Sequence, residues 1–371
     1  MVAMGTATDV FVIGGGPAGL AAALAARQHG LAVAVADPAA PGADKACGEG
    51  VLPEGLDALG RLGVEIGQPD GSPFRGIRFL GGGIAAQACF AHGSGLAVRR
   101  TTLHRLLAAR AEACGVRLLW KTRVTALAAD GVLLGGQFVP ARWIIGADGS
   151  QSRVRRWIGL APRVQPASRY GVRRHFRLRP WSDFVDVYWS RESQFYVSRV
   201  APDEVCVVLI SRQPNLCFET ALQDFPELAA RLADAAPASA SRCAVTSTLR
   251  LPRVSRGRVA LLGDASGSVD AVSGQGLTLA FLQAEALAAA LAAEDLALYE
   301  AAHRRIMRRP AIVSRLLLAL AGRPRLCNRV LRILADEPRL FARLLAVHAG
   351  HATATDCALG GLHLGLRLIT S

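Results

Sequence analysis

Three glycines at fixed spacing, Gly14, Gly16 and Gly19, follow the apolar run Val10-Phe-Val-Ile and precede a stretch of small residues from Leu20 to Arg27. Each glycine answers a different demand when such a turn holds a pyrophosphate. Gly14 makes the tight turn, Gly16 lets the backbone approach the phosphates, and Gly19 lets strand and helix pack closely. Free N–H groups at the start of the helix then point at the anion. A second apolar run, Leu31 to Ala36, ends in Asp37, placed to accept a hydrogen bond from a ribose 2′-OH. Strand, helix, strand and acid in this order predict a dinucleotide site. A bare glycine-rich turn would not carry the second strand and its terminal acid.

Two later segments bear on which dinucleotide. Trp143-Ile-Ile-Gly-Ala-Asp-Gly reads as a buried strand ending at Asp148, and Arg258-Val-Ala-Leu-Leu-Gly-Asp as another ending at Asp264. Val272-Ser-Gly-Gln-Gly-Leu then opens a long Ala/Leu helix. Acids at the carboxyl ends of strands belong where open α/β sheets bind ligands. Together with the first motif, this set resembles the flavin hydroxylase superfamily of para-hydroxybenzoate hydroxylase and geranylgeranyl reductase, over roughly residues 9–290. The resemblance implies FAD as the resident cofactor, with Gly14, Gly16, Gly19 and Asp37 at its dinucleotide part. It implies that Asp264 holds the ribityl chain, that Gly274 contacts the cofactor, and that Gly276 and Leu277 face the flavin N1–C2=O edge, Gly276 also serving catalysis through its backbone. It places Asp148 between FAD and the path of the reducing nicotinamide, and it favours Arg100 over Arg99 as a cofactor contact.

The elements that must position these residues predict an α/β fold. A Rossmann-like FAD-binding domain is expected in three pieces, residues 1–73, 95–165 and 250–300. Residues 74–94 and 166–249 alternate polar and apolar positions and predict an inserted, mainly antiparallel substrate sheet. One face of that sheet is expected to cover the flavin and line a pocket, with Phe176, Val187, Trp189, Phe195 and Val197 as candidates. Residues 301–371 form a helical C-terminal region. Its segment 304–343 holds eleven arginines against Asp336 and Glu337, with leucines at helical spacing. That pattern fits a helical cap with solvated arginines or a basic amphipathic element lying on anionic lipid.

Composition narrows the classes. The net charge is +14, but Lys45 and Lys121 are the only lysines, and the few aromatics do not interleave with the arginines as a base-stacking surface requires. A nucleic-acid partner is not expected; an anionic membrane or acidic substrate fits the charge better. The eight cysteines form no Cys-x-x-Cys and sit at no metal-ligand spacing from histidine, His348 and His351 included, so no metal is expected. No signal peptide is read before the first strand and no uninterrupted apolar span is long enough for a bilayer, so the expected location is cytoplasmic with peripheral membrane contact through the basic helices.

Lys45-Ala-Cys-Gly-Glu-Gly follows the second strand. This run looks like the geranylgeranyl reductase branch, in which the cysteine, here Cys47, lies beside the flavin. The branch's Tyr-x-Trp-x-Phe-Pro-like stretch has no counterpart in Val185-Asp-Val-Tyr-Trp-Ser or Ser193-Gln-Phe-Tyr-Val-Ser. No second Gly-x-Gly-x-x-Gly follows a later strand, so NAD(P)H is expected only as a transient reductant. The expectation is therefore an FAD-dependent oxidoreductase of an apolar organic substrate, with monooxygenation of an aromatic or polyketide-like molecule favoured. Alkene reduction in an isoprenoid or lipid is the alternative, and a non-catalytic flavin-binding docking protein is the third class.

Overall fold

The structure, a computed structural model, describes residues 8–162, 168–350 and 354–370. Residues 163–167, within the linker to the substrate sheet, and His351 lie outside the described residues. The chain builds two large sheets and a C-terminal set of helices.

The first sheet runs in the order Ser255–Arg256, Val259–Leu261, Gln137–Gly146, Thr8–Ile13, Val33–Asp37, Arg117–Trp120. The strands from 259–261 to 117–120 are parallel. Strands Val124–Ala128 and Gly131–Leu134 add an antiparallel extension on 137–146. The Val10, Phe11 and Val12 side chains have no solvent exposure, as expected where helices cover both faces of a parallel sheet. The helix Pro17–Gln28 packs against Gly276–Ala292 through alanines on both, and small side chains permit that close approach.

The second sheet runs Ala236–Pro237, Ser168–Arg177, Glu204–Ser211, Ser193–Ala201, Val185–Trp189, Gly76–Gly81, Ile84–Cys89, with Arg242–Ser247 also on 168–177. It is antiparallel except where 185–189 meets 76–81. Its two faces do different things. Phe176, Phe195, Val197, Val207 and Leu209 pack under Phe218–Leu222 and Pro226–Leu232, forming a core with Phe218, Phe225 and Leu228. Cys206, Val208 and Ile210 lie on the opposite face, in a cluster with Leu334, Leu340, Phe341 and Leu345 of the C-terminal helices. The C-terminal region thus packs on the sheet as a cap. It comprises Leu296–Ala321, Pro324–Asp336, Pro338–His348 and Ala354–Thr370.

This division corrects the predicted pocket. Register pairs Tyr188 with Phe195 and Val187 with Tyr196. Val187 and Trp189 therefore lie on the opposite face from Phe195 and Val197, and so from Phe176. Phe176, Phe195 and Val197 belong to the core under the two short helices. Trp189 meets Phe79 edge-on, and Phe79 stacks on Phe341 of the cap.

Candidate FAD site

The glycine turn has the geometry its chemistry needs. Gly14 sits at φ +113°, and a Cβ there would stand 2.4 Å from the Ala147 carbonyl oxygen. A Cβ on Gly19 would stand 1.8 Å from the Gly14 carbonyl oxygen. Gly16 differs: a Cβ there would meet only an Arg100 guanidinium nitrogen, at 3.9 Å. The space over Gly16 is a cradle open to a ligand. The helix behind it carries no side-chain cap and no acid in its first turn, so its N–H groups remain available to an anion.

Arg100 begins the helix Arg100–Ala113, and its Nε is buried without a partner. Arg99 instead pairs with Glu204 of the second sheet. Of the two arginines, Arg100 is the one free to meet a phosphate. His104, four residues on, braces the turn. Gly42 N–H donates to its Nδ1 at 3.1 Å, so Nε2 carries the proton and donates to the Gly15 carbonyl at 2.9 Å. Burial holds the His104 pKa below the usual histidine value, which suits that neutral role. Asp37 closes its strand, and its two carboxylate oxygens accept N–H bonds from Gly15 at 2.7 Å and Ala39 at 2.8 Å. A carboxylate oxygen has a second lone pair, so Asp37 can shape the turn and still receive a ribose hydroxyl.

The far end of the cleft is framed by Asp264 and the start of Gly276–Ala292. Surrounding protein raises the Asp264 carboxyl pKa, while Arg100, Lys45 and Arg155 pull it back. Its accessible surface is that of an exposed residue. The side chain is thus ringed by protein and open on one side to the cleft. Gly274 is left-handed at φ +63°, Gly274 and Gly276 have open space where a Cβ would stand, and no side chain caps the helix. Leu277 is the second residue of that helix and is half-buried. Backbone N–H groups at 276–277 thus face the side where an anionic ring edge would be stabilised.

Asp148 follows its strand, Gln137–Gly146, and caps the short helix that comes next. Its carboxylate accepts from Ser152 Oγ, from Arg153 N at 2.7 Å and from Val154 N at 3.1 Å. It anchors the short helix Arg153–Trp157. Arg155 of that helix was not singled out from sequence. Buried, it donates to the carbonyls of Ser150 at 2.6 Å and Ala265 at 3.0 Å, tying the 148–152 turn to the Asp264 turn.

Cys47 lies in the loop between the Val33–Asp37 and Gly50–Val51 strands. Burial raises its thiol pKa and Glu49 adds to this, while Arg100 opposes it. The thiol is held protonated at neutral pH. Beneath it lies a cluster that local spacing does not reveal: ligand-type atoms of Glu49, His175 and Cys206 lie within 4.8 Å of one another, all buried. Arg173 Nη1 lies 2.7 Å from His175 Nδ1. Arginine only donates, so Nδ1 accepts and Nε2–H is directed to Glu49 Oε2 at 2.7 Å. That leaves no imidazole lone pair for a metal.

A family model described as an FAD binding domain matches residues 7–306. The chain belongs to this FAD-binding family. Open space over Gly16, the orphaned Arg100 Nε and the uncapped helix at Gly276 fit FAD in this cleft. Among curated relatives, digeranylgeranylglycerophospholipid reductase 1 of Methanothermobacter thermautotrophicus is 33% identical over 186 residues, 45% of each chain. Menaquinone reductase of Mycobacterium tuberculosis is 35% identical over 162 residues, 41% of this chain and 40% of that one. The chain thus spans under half the length of these relatives. Among solved structures, a flavoprotein/dehydrogenase from Cytophaga hutchinsonii aligns with TM-score 0.81 at 20% identity, over 92% of this chain and 93% of that chain. The family match makes this an FAD-binding protein, and its fold is shared with that solved flavoprotein. No described helix is long and apolar enough to cross a membrane.

Proposed function

We propose that this FAD-binding protein is a reductase that saturates a carbon–carbon double bond in an isoprenoid chain of a lipid or quinone. The observation that carries the reading is Cys47, a thiol kept protonated in a loop seated against Arg100 and the buried Glu49. FAD, once reduced by a transient donor such as NAD(P)H, would supply the two electrons as a hydride. Adding a hydride to one alkene carbon leaves the other needing a proton, and Cys47 is the group suited to give it. The thiolate then recovers a proton from solvent. The relatives named as reductases of digeranylgeranylglycerophospholipid and menaquinone support this substrate class.

The apolar layer between sheet and cap suits a polyprenyl chain. Val187 and Trp189 of the predicted pocket share their sheet face with Tyr196, Val208 and Ile210, opposite Leu340 and Phe341. A lipid-borne substrate also needs a membrane-facing surface. Leu359, Leu362 and Leu366, spaced as one helix stripe, are 52%, 63% and 53% exposed. Exposed arginines of 304–343, Arg304, Arg305, Arg315 and Arg325 among them, supply charge for anionic headgroups.

The second reading is hydroxylation with a transient NAD(P)H donor. What favours it is the departure of residues 185–190 and 193–198 from the reductase branch's sheet motif. Replacing Cys47 with Ser separates the two, because oxygen transfer needs no thiol acid.

A further inference from the structure

The strand Ser168–Arg177 presents Arg169, Arg173 and His175 on one face, two or four residues apart. All three are buried. Their partners are not on the strand's own sheet alone. Arg173 pairs with Asp44, and His175 with Glu49. These two acids bracket Cys47. The loop that carries the thiol is therefore strapped at both ends to a strand of the other sheet.

The Glu49 end is the more constrained. Glu49 is 2% exposed and holds a left-handed φ of +59°, a strained conformation for a non-glycine residue that persists only where its surroundings impose it. Its carboxylate accepts from Arg100 N at 2.9 Å and from His175 Nε2 at 2.7 Å. Cys206, whose thiol pKa burial raises, also bonds to it. Its backbone N–H donates to Cys47 Sγ at 3.3 Å. The chain of contacts runs from His175 through Glu49 to the sulfur. On the other side of the imidazole, Ser239 Oγ lies 2.8 Å from Nδ1 and is half-buried.

We propose that His175, acting through Glu49, is the positioning residue that fixes the Cys47 thiol at the cofactor cleft. The role rests on the reading of Cys47 as proton donor, but the strap itself can be tested apart from it. Charged and titratable groups facing the thiol are Arg100, Glu49, Arg173 and Cys206. Losing the strap lets the loop lift, admits water and relieves the burial that keeps the thiol protonated.

The test is alkylation of the FAD-loaded full chain with iodoacetamide, read at each cysteine by peptide mass spectrometry. Exposed Cys217 is the internal reference. His175→Ala should raise Cys47 labelling relative to Cys217 by about tenfold or more, because reactivity follows accessible thiolate. The pH at which Cys47 labels should move down. His175→Gln, whose amide N–H can still reach Glu49, should return both towards the original values. If His175→Ala does not fold, Glu49→Gln, nearly isosteric, carries the same expectation. Unchanged Cys47 labelling in a variant that keeps its FAD would overturn the strap. Cys47→Ser with undiminished turnover would instead remove the proton-donor reading and leave the strap standing.

Discussion

Arg169 and Asp270, 101 residues apart, form a buried ion pair at 2.8 Å between the second sheet and the loop that leads into the Gly276–Ala292 helix. Asp270 also accepts from Val272 N at 3.0 Å, so the same carboxylate shapes the loop and anchors it. Removing one member leaves the other charged in a dry site, which costs about 3–5 kcal/mol. Asp270→Ala should lower the melting temperature by many degrees and release FAD on gel filtration. A variant as stable and as yellow as the parent would show that the pair is not what seats the helix start.

Gly16→Val places methyls in the open cradle beside Arg100 without touching protein backbone. The chain should fold, with a circular dichroism spectrum unchanged, yet bind little FAD. Asp264→Ala should also weaken FAD retention. Gly19→Ala differs, since its Cβ would enter the Gly14 carbonyl, and it should fail to fold. Equal FAD content in Gly16→Val and the parent would contradict the cradle.

How much of this was legible in the sequence depends on distance along the chain. The strand, glycine turn, helix and Asp37 are one local unit, and local spacing was enough. The alternation of residues 168–211 gave strands but not their register, and register alone decides that Val187 shares a face with Tyr196 rather than Phe195. Glu49–His175 and Arg169–Asp270 join segments 126 and 101 residues apart, and nothing in either segment names the other. Arg169, Arg173 and His175 share one face of the strand Ser168–Arg177, but Arg174 on its other face and Arg177 at its end mask that signal in the sequence.

Burial lowers the pKa of His303 and of His348 to about 4. Both are neutral when folded at neutral pH, whereas the unfolded chain takes up their protons near 6.5. The unfolded state therefore binds more protons between those values, and stability falls as pH drops from about 6.5 towards 4. At about 1.4 kcal/mol per pH unit for each group, the loss amounts to several kcal/mol. Melting temperature should fall steeply over this window, and His303→Gln should flatten the fall. A melting temperature that rises on acidification would contradict it.

Membrane docking should depend on both charge and the leucine stripe. Phosphatidylcholine vesicles containing phosphatidylglycerol should bind the protein, and binding should drop as salt shortens the screening length below about 8–10 Å. Replacing Leu362 and Leu366 with Glu should abolish sedimentation with these vesicles while FAD stays bound. Equal binding to neutral and anionic vesicles, or none to either, would leave the C-terminal helices as a cap alone.

The most direct measurement is anaerobic. The FAD-loaded protein is reduced with dithionite, mixed with a geranylgeranyl lipid without oxygen, and followed by flavin absorbance and product mass. The account predicts that the yellow colour returns with substrate alone, that each turnover adds two hydrogens to the product, and that Cys47→Ser slows this by about 100-fold. Flavin that stays reduced until oxygen is admitted, with a product that then gains one oxygen atom, would contradict it.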